Sequence, residues 1–166
     1  SGGREGCGAS HLALAAQLNW QISICQGRMG HWDAALDATN RSIEGFVRLG
    51  EKENAGATEN LLAEQYDLLG QPERAWKHRV TAFRLLSEAG AWFRLQVALA
   101  GVSRDRVRRK DWAAAISILG LEIEISRLAD SRTLVADAML RRARARAALE
   151  DVHAAETDIS LARTAI

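Results

Sequence analysis

Residues 30–36 read Gly-His-Trp-Asp-Ala-Ala-Leu, a turn that opens into a helix. The motif returns in altered form at a constant step of 40 residues, as Gly-Gln-Pro-Glu-Arg-Ala-Trp at 70–76, Lys-Asp-Trp-Ala-Ala-Ala-Ile at 110–116 and Glu-Asp-Val-His-Ala-Ala-Glu at 150–156. A constant step of this size is typical of proteins that stack one supersecondary unit many times. The motif therefore predicts a repeat protein.

Residues that stand one 40-residue step apart form columns, and two of these columns hold only small side chains. They are Ala35, Ala75, Ala115 and Ala155, and Ser23, Ala63, Ser103 and Ala143. Small side chains at fixed points on neighbouring helices allow the backbones to approach closely. Between the turns, apolar residues recur every three or four positions from residue 9 onward, which indicates amphipathic helices.

The turns divide the chain into eight helices of about 14–20 residues each. Because the connections are only two or three residues long, consecutive helices are expected to lie antiparallel. The predicted fold is an all-α, right-handed α-solenoid of four helix-turn-helix repeats, over about 9–50, 51–90, 91–130 and 131–166. Residues 1–8 contain four glycines, and we expect them to be a flexible tail or a remnant of expression, leaving 9–166 as a single domain.

Composition excludes several classes of protein. The chain is 48% hydrophobic with one proline, as expected of a helix-rich globular protein, and its net charge of +1 gives no overall attraction to nucleic acid or a membrane. Neither a membrane-spanning run nor a signal peptide is visible, so we expect a cytoplasmic protein. Cys7 and Cys25 are too few for a metal knuckle; free thiols in a reducing compartment are favoured over a disulfide.

No motif points to catalysis. None of the four histidines has a second histidine three or four residues away. Glu122 and Glu124 fall on different sides of their helix, because residues two apart do not face each other. No phosphate-binding loop or nucleophile motif is present. The sequence predicts a non-enzymatic protein with no cofactor and no metal.

The repeat resembles the tetratricopeptide repeat (TPR), whose first helix carries a Leu-Gly pair followed by an aromatic residue and whose second helix carries an alanine. The pair reads Ile-Ser at 22–23, Leu-Ala at 62–63, Val-Ser at 102–103 and Arg-Ala at 142–143, and Tyr66 alone fills the aromatic position. The 40-residue step resembles the longer-helix variety of the family. Residues 74–79, Arg-Ala-Trp-Lys-His-Arg, are also similar to repeat arrays that precede caspase-like CHAT domains in bacterial proteins.

The TPR resemblance implies that the first helix of each repeat lines a concave groove for extended peptides. Carried over by position, the groove residues include Trp20, Asn60, Glu64, Arg104, Arg108 and Arg144. Asp67 extends this set, since it shares a helix face with Asn60 and Glu64. The groove would be acidic around the second repeat and basic across the third and fourth. The family's carboxylate clamp of lysines and asparagines is not reproduced.

The arginines allow two interpretations. They form either a solvated face with intramolecular ion pairs, or a site where Arg104, Arg108 and Arg144 bind acidic side chains or a carboxylate, which the planar guanidinium suits. RNA is disfavoured because no aromatic residues are interleaved with them.

We therefore expect a scaffold that binds a protein or peptide in this groove, as one module of a larger bacterial polypeptide. The alternatives are a regulatory sensor that controls an attached effector, such as a protease-like domain, and a self-associating structural module. No polar cap follows the eighth helix, so the sequence also predicts a homodimer through residues 150–166.

Overall fold

The computed structural model describes the backbone of residues 2–165 and the side chains of residues 8–165. Within residues 2–165 every regular element is an α-helix, which confirms the all-α class. The eight helices are α1 (Gly2–Arg28), α2 (Trp32–Leu49), α3 (Lys52–Leu68), α4 (Pro72–Glu88), α5 (Trp92–Arg108), α6 (Trp112–Leu128), α7 (Arg132–Ala147) and α8 (Val152–Ala165). None of the described helices is long and apolar enough to cross a bilayer.

The turns repeat at half the sequence period. The left-handed residue of each turn is Gly30, Gly50, Gly70, Gly90, Lys110, Asp130 or Glu150, with φ between 50° and 79°. At each turn the next residue donates its N–H to a carbonyl five residues back, as Glu51 does to Phe46 at 2.9 Å. Glycine adopts this conformation without the steric cost that a Cβ adds. The first four turns therefore use the residue that the geometry favours, and the last three use side chains that it penalises.

The chain forms two compact units, Ser1–Ala91 and Trp92–Ile166. In the first unit, α1 packs on α2, α2 on α3 and α3 on α4. In the second unit, α5 packs on α6, α6 on α7 and α7 on α8. Each unit thus contains two helical hairpins. The tail predicted for residues 1–8 stays a prediction, since the side chains of residues 1–7 lie outside the described part. The single domain predicted for 9–166 also stays a prediction.

The core of the first unit depends on close approach between helices. Phe46 and Ala55 are buried together with Ala16, and the partly buried Trp20 and Leu85 pack against them. Small residues are needed here because the helices are too close for larger ones. All eight residues of the two small columns are buried, at 5% exposure or less.

The core of the second unit is more aliphatic. Leu119 and Ile123 of α6 lie with Met139 of α7 in a buried cluster that also includes Ala162 of α8. Trp112, at the start of α6, packs against this cluster from its partly buried position. The tryptophan of the repeated turn motif thus belongs to the packing of the unit.

Candidate functional site

A buried carboxylate organises the polar groups of the second unit. Glu122 of α6 is fully buried. Its Oε1 accepts from Gln96 Nε2 at 2.9 Å, and its Oε2 accepts from Ser103 Oγ at 2.9 Å. Arg141 of α7 donates to both carboxylate oxygens and, through Nη1, to Ser103 Oγ at 2.8 Å. A charge in a helical core is tolerable only when it is paired and hydrogen-bonded in this way.

Arg141 is held as a cation by this arrangement. Burial acts to lower the pKa of its guanidinium, but its hydrogen bonds to Glu122 and the negative charges of Glu122 and Asp137 outweigh burial and raise the pKa above its usual value. Asp137 lies one turn before Arg141 and accepts from its Nε at 3.0 Å. Arg141 is therefore committed to internal contacts and is a poor candidate for binding a ligand.

A second buried carboxylate takes up two further arginines of α7. Asp158 of α8 is 1% exposed. Arg142 donates to it in a bidentate fork, from Nε at 2.9 Å and Nη2 at 2.7 Å. Arg146 adds a bond from Nη1 at 3.0 Å. These contacts join α7 to α8, and bidentate arginine–carboxylate pairs of this kind are among the stronger ionic contacts in proteins.

The first unit has an uncharged counterpart of the Glu122 cluster. Gln65 of α3 donates from Nε2 to Ser23 Oγ at 3.0 Å, and its Oε1 accepts from Thr39 Oγ1 at 2.9 Å. The hydroxyls of Ser23 and Thr39 lie 2.7 Å apart. Ser23 and Ser103 occupy the same column two repeats apart. In both units a buried serine thus connects the first hairpin to the first helix of the second hairpin.

The predicted groove residues of the first unit make internal contacts. Trp20 meets Phe46 edge to face, with ring centroids 5.9 Å apart. Asn60 Nδ2 donates to Glu64 Oε1 at 3.0 Å, one turn further along α3. Asp67 accepts from Arg79 Nη2 of α4 at 2.7 Å. The acidic part of the predicted groove is therefore occupied, at least in part, by neighbours in its own unit.

The predicted groove residues of the second unit behave differently. The C-terminal halves of α5 and α7 contain seven arginines, and within the described residues five of them form ion pairs with an aspartate or glutamate. Arg108 is one of these five, but its contact with Asp105 is long, at 3.5 Å, and the side chain is 77% exposed. Arg104 and Arg144 have no such partner in the described part of the chain, and both are exposed. These two arginines share one column.

Two of the histidines, His31 and His78, contact side chains of their own unit. His78 Nδ1 lies 2.7 Å from Glu59 Oε2, and its ring stacks on Tyr66 with centroids 5.4 Å apart. His31 Nδ1 lies 2.8 Å from Gln26 Oε1. Among side chains 8–165, no three potential metal ligands come together. Cys25 is an exposed free thiol, and Cys7 lies outside the described side chains.

Glu122 and Asp158 are the polar residues that the sequence reasoning missed. Glu122 and Glu124 do not form a pair, as expected, since Glu124 binds Arg127 at 2.6 Å. The missed signal was in the repeat columns. The other members of the Glu122 column are Ser42, Ala82 and Ala162. A glutamate in a column of small buried residues indicates a buried charge that needs a cationic partner.

Two solved structures share this fold. The chain matches the crystal structure of BtubC (BKLC) from P. vanneervenii with a TM-score of 0.70 and 14% sequence identity, over 90% of this chain and 62% of BtubC. It matches the apo form of RapI with a TM-score of 0.72 and 14% identity, over 92% of this chain and 56% of RapI. The chain therefore spans less than two thirds of either protein.

At this level of identity the two matches bear on the fold alone, and they fit a TPR-like helical repeat. No protein-family model matches the sequence, and no curated protein is detectably similar to it. Neither structural match bears on CHAT-domain arrays, so that resemblance stays a prediction.

Proposed function

We propose that the protein is a non-enzymatic interaction module that binds an acidic peptide or helix on its second unit, through Arg104 and Arg144. The observation that carries the proposal is the selective pairing of the arginines on α5 and α7. In the C-terminal halves of these helices the other five arginines form ion pairs with acids of the same chain, and these two are exposed in equivalent positions. A helical-repeat fold, which presents extended surfaces built from successive repeats, supports such a role.

The surroundings of the two arginines fit an acidic partner. Arg104 follows Ser103, and Arg144 lies one turn after Arg141, whose Nη1 reaches Ser103 Oγ at 2.8 Å. The two cations are therefore carried by neighbouring parts of α5 and α7, and an acidic segment that lies along both helices could pair with each of them. Leu140, one turn before Arg144, is 49% exposed and offers an apolar contact beside the charges.

The test uses a double charge reversal, Arg104→Glu with Arg144→Glu. The matched control is Arg41→Glu with Arg48→Glu on α2, because both of these arginines are exposed and the change in net charge is the same. The probe is a panel of fluorescein-labelled peptides of equal length, acidic, neutral and basic, followed by fluorescence anisotropy. Circular dichroism must first show that both variants keep the helicity of the native chain.

The native chain and the α2 control should bind the acidic peptides, more weakly as salt is raised, because exposed charge pairs are screened. The Arg104/Arg144 variant should lose roughly tenfold or more in affinity, as expected for two charge-assisted contacts. Equal loss in the α2 control would show that only net charge matters and would refute the site. If the Arg104/Arg144 variant binds the acidic peptides as tightly as the native chain does, the peptide site lies elsewhere on the chain and the proposed site is refuted.

A further inference from the structure

The first helix carries an exposed apolar surface on its described side chains. This surface, the α1 stripe, consists of Leu14, Leu18, Ile22, Cys25 and Met29, which recur at spacings of three and four residues. Leu18 is 52% and Ile22 is 46% exposed. Recurrence at this spacing places the five side chains on one side of the helix, where they form a continuous seam. An apolar seam of this length is typical of a site that another helix covers.

The same columns are buried in the helices that start the other hairpins. One step after Leu18, Ile22 and Cys25, α3 carries Thr58, Leu62 and Gln65, which are 0%, 0% and 3% exposed. Three steps after Leu18 and Cys25, α7 carries Ala138 and Ala145, which are both fully buried. The α1 stripe is therefore the member of a repeated packing surface that is open to solvent.

The first unit shows what covers this surface. Helix α2 packs on α3, and its Thr39 reaches Gln65 at 2.9 Å while its Phe46 lies with Ala55 in the buried cluster. The surface is thus built to receive the second helix of a hairpin. On α8, Ile159 stands in the column of Thr39, and Val152 stands in the column of Trp32. Ile159 is 37% and Val152 is 59% exposed.

We infer that the α1 stripe binds α8 of a second copy of this chain, head to tail, in the geometry in which α2 packs on α3. The repeat register then specifies the contacts. Thr39 contacts Gln65 in the first unit, and the residues in the same two columns are Ile159 on α8 and Cys25 on α1. Ile159 of one copy should therefore contact Cys25 of the next. Helices packed in this way run antiparallel, so the same register places Val152 near the turn that follows α1, where Met29 is 57% exposed. Glu156 falls opposite Arg28, which has the opposite charge, and Arg163 falls opposite the neutral Gln21, so no like charges face each other.

Such an interface uses two different surfaces, because each chain offers one α1 stripe and one α8 face. The assembly grows by further additions unless the rotation between copies closes it into a ring. This differs from the symmetric dimer through residues 150–166 that the sequence suggested. The inference is independent of the peptide site, since none of its residues contributes to the α1 stripe or to the α8 face.

The register makes the inference testable by site-directed cross-linking. The protein is prepared with Cys7→Ser, so that Cys25 is the one native thiol, and with Ile159→Cys added. A short bismaleimide is preferred to oxidation, because a disulfide requires close β-carbons. In the Thr39–Gln65 contact the long glutamine side chain bridges the helices, so two cysteines at these positions would be further apart than a disulfide allows. Two single-thiol controls complete the set. The α1 control carries Cys7→Ser alone, and the α8 control carries Cys7→Ser with Cys25→Ser and Ile159→Cys.

Only the two-thiol protein should give cross-linked products, as a ladder of dimers, trimers and larger species from an open assembly or as one closed oligomer from a ring. Cross-linked dimers from the α1 control would indicate symmetric pairing of α1 helices, and dimers from the α8 control would indicate symmetric pairing of α8 helices. Either result without products specific to the two-thiol protein would overturn the head-to-tail arrangement. So would the absence of products from all three proteins at a concentration where the native chain is shown by sedimentation to be monomeric.

Sedimentation velocity provides the second measurement. Ile22→Asp on the α1 stripe should raise the concentration needed for half assembly about tenfold or more, because it buries an unpaired carboxylate. Val80→Asp on α4 is the matched control, since Val80 is 49% exposed and lies outside both surfaces. Assembly that both variants weaken equally, or neither weakens, would contradict the assignment of the α1 stripe.

Discussion

Replacing Arg141 by methionine tests the buried charge cluster of the second unit. The variant keeps much of the apolar stem of the side chain but leaves the fully buried carboxylate of Glu122 without its cation. Removing one partner of a buried ion pair costs about 3–5 kcal/mol. Gln96 and Ser103 keep two hydrogen bonds on the carboxylate at 2.9 Å. We therefore expect the lower end, a loss of about 3 kcal/mol in the free energy of unfolding.

Hydrogen exchange followed by mass spectrometry locates this loss. A change of about 3 kcal/mol should accelerate exchange in the most protected amides of α5–α7 about a hundredfold. Amides of α1 and α2, in the other unit, should change much less, because stability in repeat proteins is largely local. Arg104→Met, an exposed change on α5, is the control and should shift the free energy by no more than about 0.5 kcal/mol.

A second variant separates charge from packing. In Glu122→Gln with Arg141→Met both charges are removed, and the neutral amide can still accept a hydrogen bond from Gln96 and donate one to the Ser103 hydroxyl. This pair should recover more than half of the stability that Arg141→Met alone loses, because the cost lies in the uncompensated charge. If the double variant is as unstable as the single variant, the reasoning is refuted, and Arg141 must act through its packing.

Two further substitutions test the backbone geometry, both by urea denaturation. Gly45→Ala should destabilise the protein by about 1–3 kcal/mol, since the added Cβ would lie 2.7 Å from the Cβ of Ala16 and force α1 and α2 apart. An unchanged free energy of unfolding would mean that this contact is not tight in solution. Lys110→Gly should stabilise the protein by up to about 1 kcal/mol, because a φ of 58° is less favourable in free energy for lysine than for glycine. A loss of stability would show that contacts of the lysine side chain outweigh the strain of its backbone.

The fold could be predicted because its determinants are periodic. The turn at Gly50 has a left-handed φ of 71°, as its position after an apolar helix indicated. At Lys110 and Glu150 the residue type suggests no such turn, yet the 40-residue step places both in register with Gly30 and Gly70. In a repeat protein, the glycines at positions 30 and 70 therefore predict the turns at positions 110 and 150, where the residue type alone does not.

The pairing of the charged residues could not be predicted in the same way. Arg104, Arg141 and Arg144 are the same residue type on similar helices, and their charges alone do not distinguish them. The distinction depends on which acids are buried beside them, and Glu122 and Asp158 lie on helices that reach α7 only after folding. Periodicity specifies which face of a helix is buried. It does not specify where a charged residue such as Glu122 replaces the small residue of a buried column.

The buried acids also determine which arginines of α7 remain exposed. Each fully buried carboxylate must be compensated inside the protein, because an unpaired charge in the core is too costly. Glu122 and Asp158 therefore recruit Arg141, Arg142 and Arg146 to the interior contacts of the second unit. Arg144 lies among these residues in sequence but is exposed. A substitution that removes Asp158 would leave Arg142 and Arg146 without their buried partner, so the set of arginines that stays paired depends on the buried acids.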